Sequence, residues 1–247
     1  MRNWFQFGTV KFDIDDGLVV ERCPAQNRPQ RKMDVYSVPG RNGDIVVMQD
    51  AWENVEQTYE IWGGDGSVNS ATAFGYKCAE LFKLSGYQEL TDSYDTTHYR
   101  KAYFAGPFDV ENAFTRRGRA QLTFNCDPRR FLNSGKAWIN IAKWVYGQPG
   151  TEIVNPTSFP GAPVFEVTCS TNLCRLVWGG TPLIIHDPGT YVIDCGNETI
   201  VDSHGDPAFN SVTGEFPKLG VGTTYISFDD PGVNPVNCKM QPNWWTL

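Results

Sequence analysis

The chain has 247 residues, 40% hydrophobic, 13% aromatic and 20% charged, enough apolar material to core one large or two modest domains. Its 24 glycines and 16 prolines lie scattered between short apolar runs. That pattern excludes collagen, coiled coil and wholesale disorder, and favours a turn-rich β protein over a helix bundle. The net charge of −7 is uneven, with 16 basic and 18 acidic groups in residues 1–134 and 5 and 10 in residues 135–247, a sign that excludes a general nucleic-acid binder.

The first residues alternate aromatic and polar (Trp4, Phe5, Phe7, Phe12) and reach Asp13, Asp15 and Asp16 without an apolar signal core. This segment is expected to stay in the mature protein, and no run approaches the ~18 apolar residues of a membrane span. Residues 36–38 and 45–48 flank Pro39-Gly40-Arg41-Asn42-Gly43-Asp44, a hairpin in which Asn42-Gly43 is expected to supply the positive φ of a tight turn. Val55, Gln57, Tyr59 and Ile61 share one side of the next strand. A helix over about 70–85 follows, capped by Asn69 or Ser70, with Phe74, Cys78, Leu81 and Phe82 in one stripe and Gly86 as its stop. Strands are expected at 98–104 and 118–126. The second turns Ala120, Leu122, Phe124 and Cys126 inward and Arg119, Gln121, Thr123 and Asn125 outward, and Asp127-Pro128 is expected to close it. Between these strands lies a basic cluster, Arg116, Arg117 and Arg119.

A first domain is therefore placed over 1–134 and a connecting segment over 135–150. Beyond it helical periodicity disappears. Short strands at 164–169, 174–178, 183–185, 191–195, 199–202 and 223–228, separated by Gly- and Pro-bearing turns, read as a β-sandwich over 151–240. Residues 241–247, with Trp244 and Trp245, are too apolar for a loose tail and are expected to pack, the first domain offering one surface for them.

No reaction centre emerges from the motifs. No Gly-rich turn leads into Gly-Lys-Ser/Thr and no GxSxG elbow occurs. His98, His186 and His204 lack metal-ligand spacing, and the seven cysteines contain no CxxC, so they read as reduced, buried thiols. In Asp13-Ile14-Asp15-Asp16-Gly17 the glycine falls one position early for a calcium loop, and no glutamate stands at the twelfth position. Asp194 and Glu198 read as polar residues about a turn rather than a glycosidase pair. Catalytic, cofactor and metal residues are all expected to be absent. Trp138, Trp144, Trp178, Trp244 and Trp245 admit a lectin reading, though tryptophans more often fill cores and interfaces.

Several segments together carry a family resemblance. They are the Val38-Pro39-Gly40-Arg41-Asn42-Gly43-Asp44 hairpin, the helix running into Tyr87-Gln88-Glu89-Leu90-Thr91-Asp92-Ser93, and the strand closing in Asp127-Pro128-Arg129. The second half adds Ile153-Val154-Asn155-Pro156, Tyr191-Val192-Ile193-Asp194, Gly214-Glu215-Phe216-Pro217-Lys218-Leu219 and the terminal Pro242-Asn243-Trp244-Trp245-Thr246-Leu247. In order and spacing the chain resembles the distal tail proteins of long, non-contractile-tailed bacteriophages.

The resemblance implies a mainly β chain with one substantial helix: an N-terminal domain related to tail-tube proteins and a C-terminal galectin-like β-sandwich. It further implies a virion protein of the tail tip, assembled in the host cytoplasm as a hexameric ring. That ring would join the tail tube protein to the baseplate and carry a receptor-binding, tail-fibre or tail-associated lysin protein, with DNA only as passing cargo. Short connections in the second half leave no inserted carbohydrate module. Arg41, Asp44, Arg116, Arg117 and Arg119 are the candidate subunit-interface residues, and a bore without positive lining is expected. The rival classes are a carbohydrate-binding module for host attachment and a cell-wall hydrolase.

Overall fold

The computed structural model describes residues 3–21, 27–64, 69–112, 117–232 and 237–247. The chain divides into two compact units, Met1–Arg130 with Leu247, and Phe131–Thr246. The described residues are mainly β with one α-helix. Among the described residues no helix is long and apolar enough to cross a membrane.

The first unit is built on a sheet in the order Val10–Phe12, Phe5–Phe7, Gln88–Asp92, His98–Tyr103, Gly118–Leu132, Val55–Gly63, Leu18–Val20. The central pair is antiparallel and runs from Gly118 opposite Gly63 to Cys126 opposite Val55. Strand alternation then sends Val55, Gln57, Tyr59 and Ile61 and, across from them, Ala120, Leu122, Phe124 and Cys126 to the buried face. Phe124 is the hub of this face, with ring centroids 5.8 Å from Phe5, 5.0 Å from Phe7, 5.9 Å from Tyr59 and 5.3 Å from Phe104.

The expected close of the long strand at Asp127-Pro128 is overturned: the strand continues to Leu132. Pairing with Val55–Gly63 ends at Cys126, so the missing N–H of Pro128 interrupts no bond in that ladder. The helix α1, Ser70–Ala79, is prolonged by a 3-10 turn over Glu80–Lys83. It buries Phe74, Cys78 and Leu81. Phe82 leaves the stripe because of the tighter turn and lies 54% exposed, its ring beside Phe104 and Phe108. Two glycines opposite one another make the seat of the helix. A Cβ on Gly63 would stand 2.1 Å from Phe74 Cδ2, and one on Gly118 would stand 2.4 Å from Phe74 Cδ1.

The second unit holds two five-stranded sheets. One runs Ile139–Asn140, Cys238–Gln241, Val164–Cys169, Gly189–Asp194, Thr199–Asp202; the other runs Thr151–Asn155, Gly222–Asp229, Cys174–Val177, Leu183–Ile185, Val212–Thr213. Phe165, Val167, Ile193 and Met240 from the first share one core with Ile153, Leu176, Leu183, Ile226 and Phe228 from the second, which makes the unit a β-sandwich. Ile139–Asn140 pairs with Met240 and Lys239, and Ile141 enters the core, so these residues are sandwich rather than connection. Trp244 is buried in the same core, and its carbonyl accepts from Leu132 N at 2.8 Å; only Leu247 groups with the first unit.

Asp230 is wholly buried and accepts bonds from Ser170 N (2.8 Å), Ser170 Oγ (3.0 Å), Thr171 Oγ1 (3.3 Å) and Gly232 N (2.9 Å). Burial opposes its charge, but these donors hold its carboxyl below the ordinary range. Replacing Asp230 by Ala strands several donors and is expected to cost about 3 kcal/mol in urea unfolding, with Asp230→Asn costing less.

The six described cysteines are buried and unbridged; Cys23 lies outside the described residues. Burial pushes the thiols of Cys78 and Cys126 up to about 12, and those of Cys169, Cys195 and Cys238 upward as well. These six are therefore expected to resist a thiol-labelling reagent in the native protein and to react on unfolding, counted by mass.

Candidate functional site

The most exposed regular structure is the hairpin of Arg31–Tyr36 and Ile45–Trp52, a two-stranded sheet of its own. Its register sets Met33 opposite Met48 and Val35 opposite Val46, and opposed residues share a face. One face is thus Met33, Val35, Val46 and Met48, all exposed, with Val35 at 54% and Met48 at 57%. The other carries Asp34, Tyr36, Ile45, Val47 and Gln49, where Gln49 Nε2 donates to Asp34 Oδ2 at 3.0 Å. A lone two-stranded hairpin is marginal in water, and a continuous apolar face on one is what a contact surface presents.

The turn differs from the expected one. Residues 37–44 form the connection, and the positive φ falls on Gly40 (81°) and Gly43 (82°), not on Asn42. Arg41 and Asp44 stand in this connection, exposed, and neither is ion-paired among the described residues. Arg116 lies outside the described residues and Arg117 is exposed. Arg119 is engaged within its own unit: it pairs with Glu60 at 3.2 Å and Glu21 at 3.5 Å and lies 5.2 Å over the Trp62 ring. The same Glu21 accepts from Trp62 Nε1 at 2.7 Å. Arg119 belongs to the outward, polar face of the central strands, with Glu56, Thr58, Glu60, Gln121, Thr123 and Asn125. Beside it Glu60, Asp109 and Glu111 border an open concavity of about 430 Å³.

Sequence reading passed over a second charged cluster, centred on Asp95. Arg130 Nη2 and His98 Nδ1 both bind this carboxylate, the histidine at 3.0 Å, and Thr97 Oγ1 donates to it at 2.6 Å. Burial would raise its pKa, but the Thr97 and His98 bonds and the His98 and Arg130 charges outweigh that and hold it at about 2. Its ionised form therefore stabilises the fold fully above the unfolded carboxyl's ordinary ~3.9, and the contribution disappears as pH falls through about 2. The urea midpoint is expected to drop between pH 5 and pH 2 less steeply in Asp95→Asn than in the parent.

His186 Nε2 meets Thr213 Oγ1 at 2.7 Å, and no group of three His, Cys, Asp or Glu side chains suited to a metal occurs among the described residues. In the sandwich, Trp144, Trp178 and Tyr225 border an open groove of about 450 Å³ with Gln148, Thr223 and Thr224. Of the other tryptophans, Trp138 lies under Lys239, Trp245 stacks on Phe159 and Trp244 is core.

No protein-family model and no curated protein sequence matches the chain. Solved structures do match. The Dit protein (gp 19.1) of phage SPP1, described as a paradigm of the hub adsorption apparatus in Gram-positive infecting phages, superposes with a TM-score of 0.70 over 99% of both chains at 14% identity. A chain of the phage P2 baseplate in its activated conformation with Ca gives 0.56 over 97% of each chain at 10% identity. The Sr form gives 0.55 at 10% identity, over 97% of this chain and 96% of that one. From end to end the chain therefore has the fold of the SPP1 Dit hub protein, the fold that its resemblance to phage distal tail proteins implies.

Proposed function

We propose that this chain is a structural protein of the phage tail tip, six copies of which close into a ring joining the tail tube to the baseplate. The observation that carries the reading is the apolar hairpin face of Met33, Val35, Val46 and Met48, left uncovered on a chain with the hub fold throughout. A surface of that kind meeting a different surface on the next copy is a heterologous contact, which generates a ring when its rotation closes. Arg41, Asp44 and Arg117 serve this contact as its charged rim, while Arg119 is already taken by Glu21 and Glu60.

In this reading the polar face bearing Glu56, Glu60, Gln121 and Thr123 lines the bore, where its lack of unpaired positive charge lets DNA pass without adhering. The β-sandwich, galectin-like in the same reading, is the adaptor for a receptor-binding or tail-associated lysin protein. The role is non-catalytic, and the protein resides in the virion after assembly in the host cytoplasm. Gold-labelled antibody against the chain is expected to mark the tail tip of purified virions. Label on the capsid, or none, overturns the reading.

One observation favours a second reading, host attachment through glycan. Trp144, Trp178 and Tyr225 around a groove also lined by Gln148 and Thr224 offer aromatic faces and polar groups together. Selective binding on a glycan array, lost in Trp178→Ala, supports it; no selective binding removes it.

A further inference from the structure

The first unit carries a half-open cavity of about 40 Å³ bordered by Tyr59, Leu90, Tyr94, Asp95, Arg100 and Arg130. Arg100 is only 8% exposed, and its Nη2 donates to the Asn27 carbonyl at 3.3 Å. Its Nη1 is buried without a hydrogen-bond partner among the described residues. The two carboxylates at the cavity are already committed. Asp95 is held by Arg130, His98 and Thr97, and Asp92 accepts from Tyr59 Oη at 2.7 Å and from the Tyr94 and Asp95 amides at 2.9 and 3.0 Å. Burial above all opposes the protonated form of Arg100, and the charges of Arg130 and Arg28 act in the same direction. A buried guanidinium without a counter-charge is a costly arrangement for a fold to keep.

We propose that this cavity is a receptor for a single carboxylate carried on a short apolar stem, with Arg100 as its anchor. Guanidinium donors match a carboxylate in planar, forked geometry. The cavity is too small for a bulky anion, and Asp92 and Asp95 repel a doubly charged phosphate. Leu90 and the tyrosine rings fit the stem. The same chemistry has two sources, an acidic side chain of a second copy of this chain or a free small carboxylic acid. The site stands whether or not the chain forms a ring.

Sodium propionate is the probe, titrated against sodium chloride at equal ionic strength while thermal unfolding is followed. The expected result is a saturable rise in melting temperature, with inorganic phosphate binding at least tenfold more weakly. Arg100→Met is expected to melt no lower than the parent in the absence of propionate, since it removes an unbalanced charge, and to bind propionate at least tenfold more weakly. Should that variant fail to fold, the guanidinium ¹⁵N–¹H signals of the unsubstituted protein decide, moving with propionate and not with chloride. A lowered native mass on adding propionate assigns the natural carboxylate to a second copy; an unchanged mass assigns it to a free acid. Absence of a saturable response, an equal response in folded Arg100→Met, or phosphate binding as well as propionate overturns the proposal.

Discussion

Substituting Val35 and Val46 together by lysine is expected to leave a folded protein that no longer assembles. The two residues face one another across the hairpin and are both about half exposed, so neither contributes to the core of its own unit. Covering them in a ring contact buries the still exposed half of two valine side chains, each contributing about 1 kcal/mol. The lysines both remove that gain and resist desolvation. Loss of about 4 kcal/mol per contact corresponds to roughly a thousandfold weaker association. Sedimentation velocity reads the result as a shift from ring to single copies, with an unchanged circular dichroism spectrum. A parallel variant, Arg119→Ala, tests the opposite expectation. Its partners lie in the same unit, so assembly is expected to survive with only a small change in stability.

The largest stability effect is expected from Phe124→Ala. This ring is fully buried and touches four other aromatic rings: Phe5 and Phe7 of one strand, Tyr59 on the neighbouring strand, and Phe104. Truncation removes the transfer gain of the ring and leaves a cavity between stiff neighbours that have no room to collapse, a cost of about 3–5 kcal/mol. Phe124→Leu keeps much of the volume and is expected to cost about half as much. Urea unfolding checks both, and equal, near-zero effects would show that the aromatic cluster is not the keystone of the first unit.

Much of this fold is legible in the amino-acid sequence because local rules suffice. Period-two burial over residues 118–126 and 164–169 and the apolar stripe at Phe74, Cys78 and Leu81 are read directly and are found in the structure. The misreadings have tertiary causes. Pro128 looks like a terminator until the register shows its partner strand already ended. Phe82 looks like core until the helix tightens into a 3-10 turn. Asn42-Gly43 looks like a tight turn, while the connection takes eight residues and uses Gly40 as well.

The candidate site was less legible for two physical reasons. A run such as Val35, Val46 and Met48 reads the same whether its burial is supplied by its own chain or by another copy. Charge is visible but its commitment is not: Arg119 looks free in sequence and is bound to Glu21 and Glu60 through strand pairing, whereas Arg100, inconspicuous in a polar strand, ends buried beside Asp95 and Arg130. Arg41 and Asp44, exposed and without an ion pair among the described residues, keep in the structure the availability that their sequence context suggests.

The most direct measurement of the central claim is electron microscopy of the purified protein mixed with polymerised tail tube from the same phage. The account predicts sixfold rings that cap one end of each tube, and bare tube ends with the Val35→Lys, Val46→Lys variant. Single copies at every concentration, open filaments, or attachment along the tube wall would contradict it.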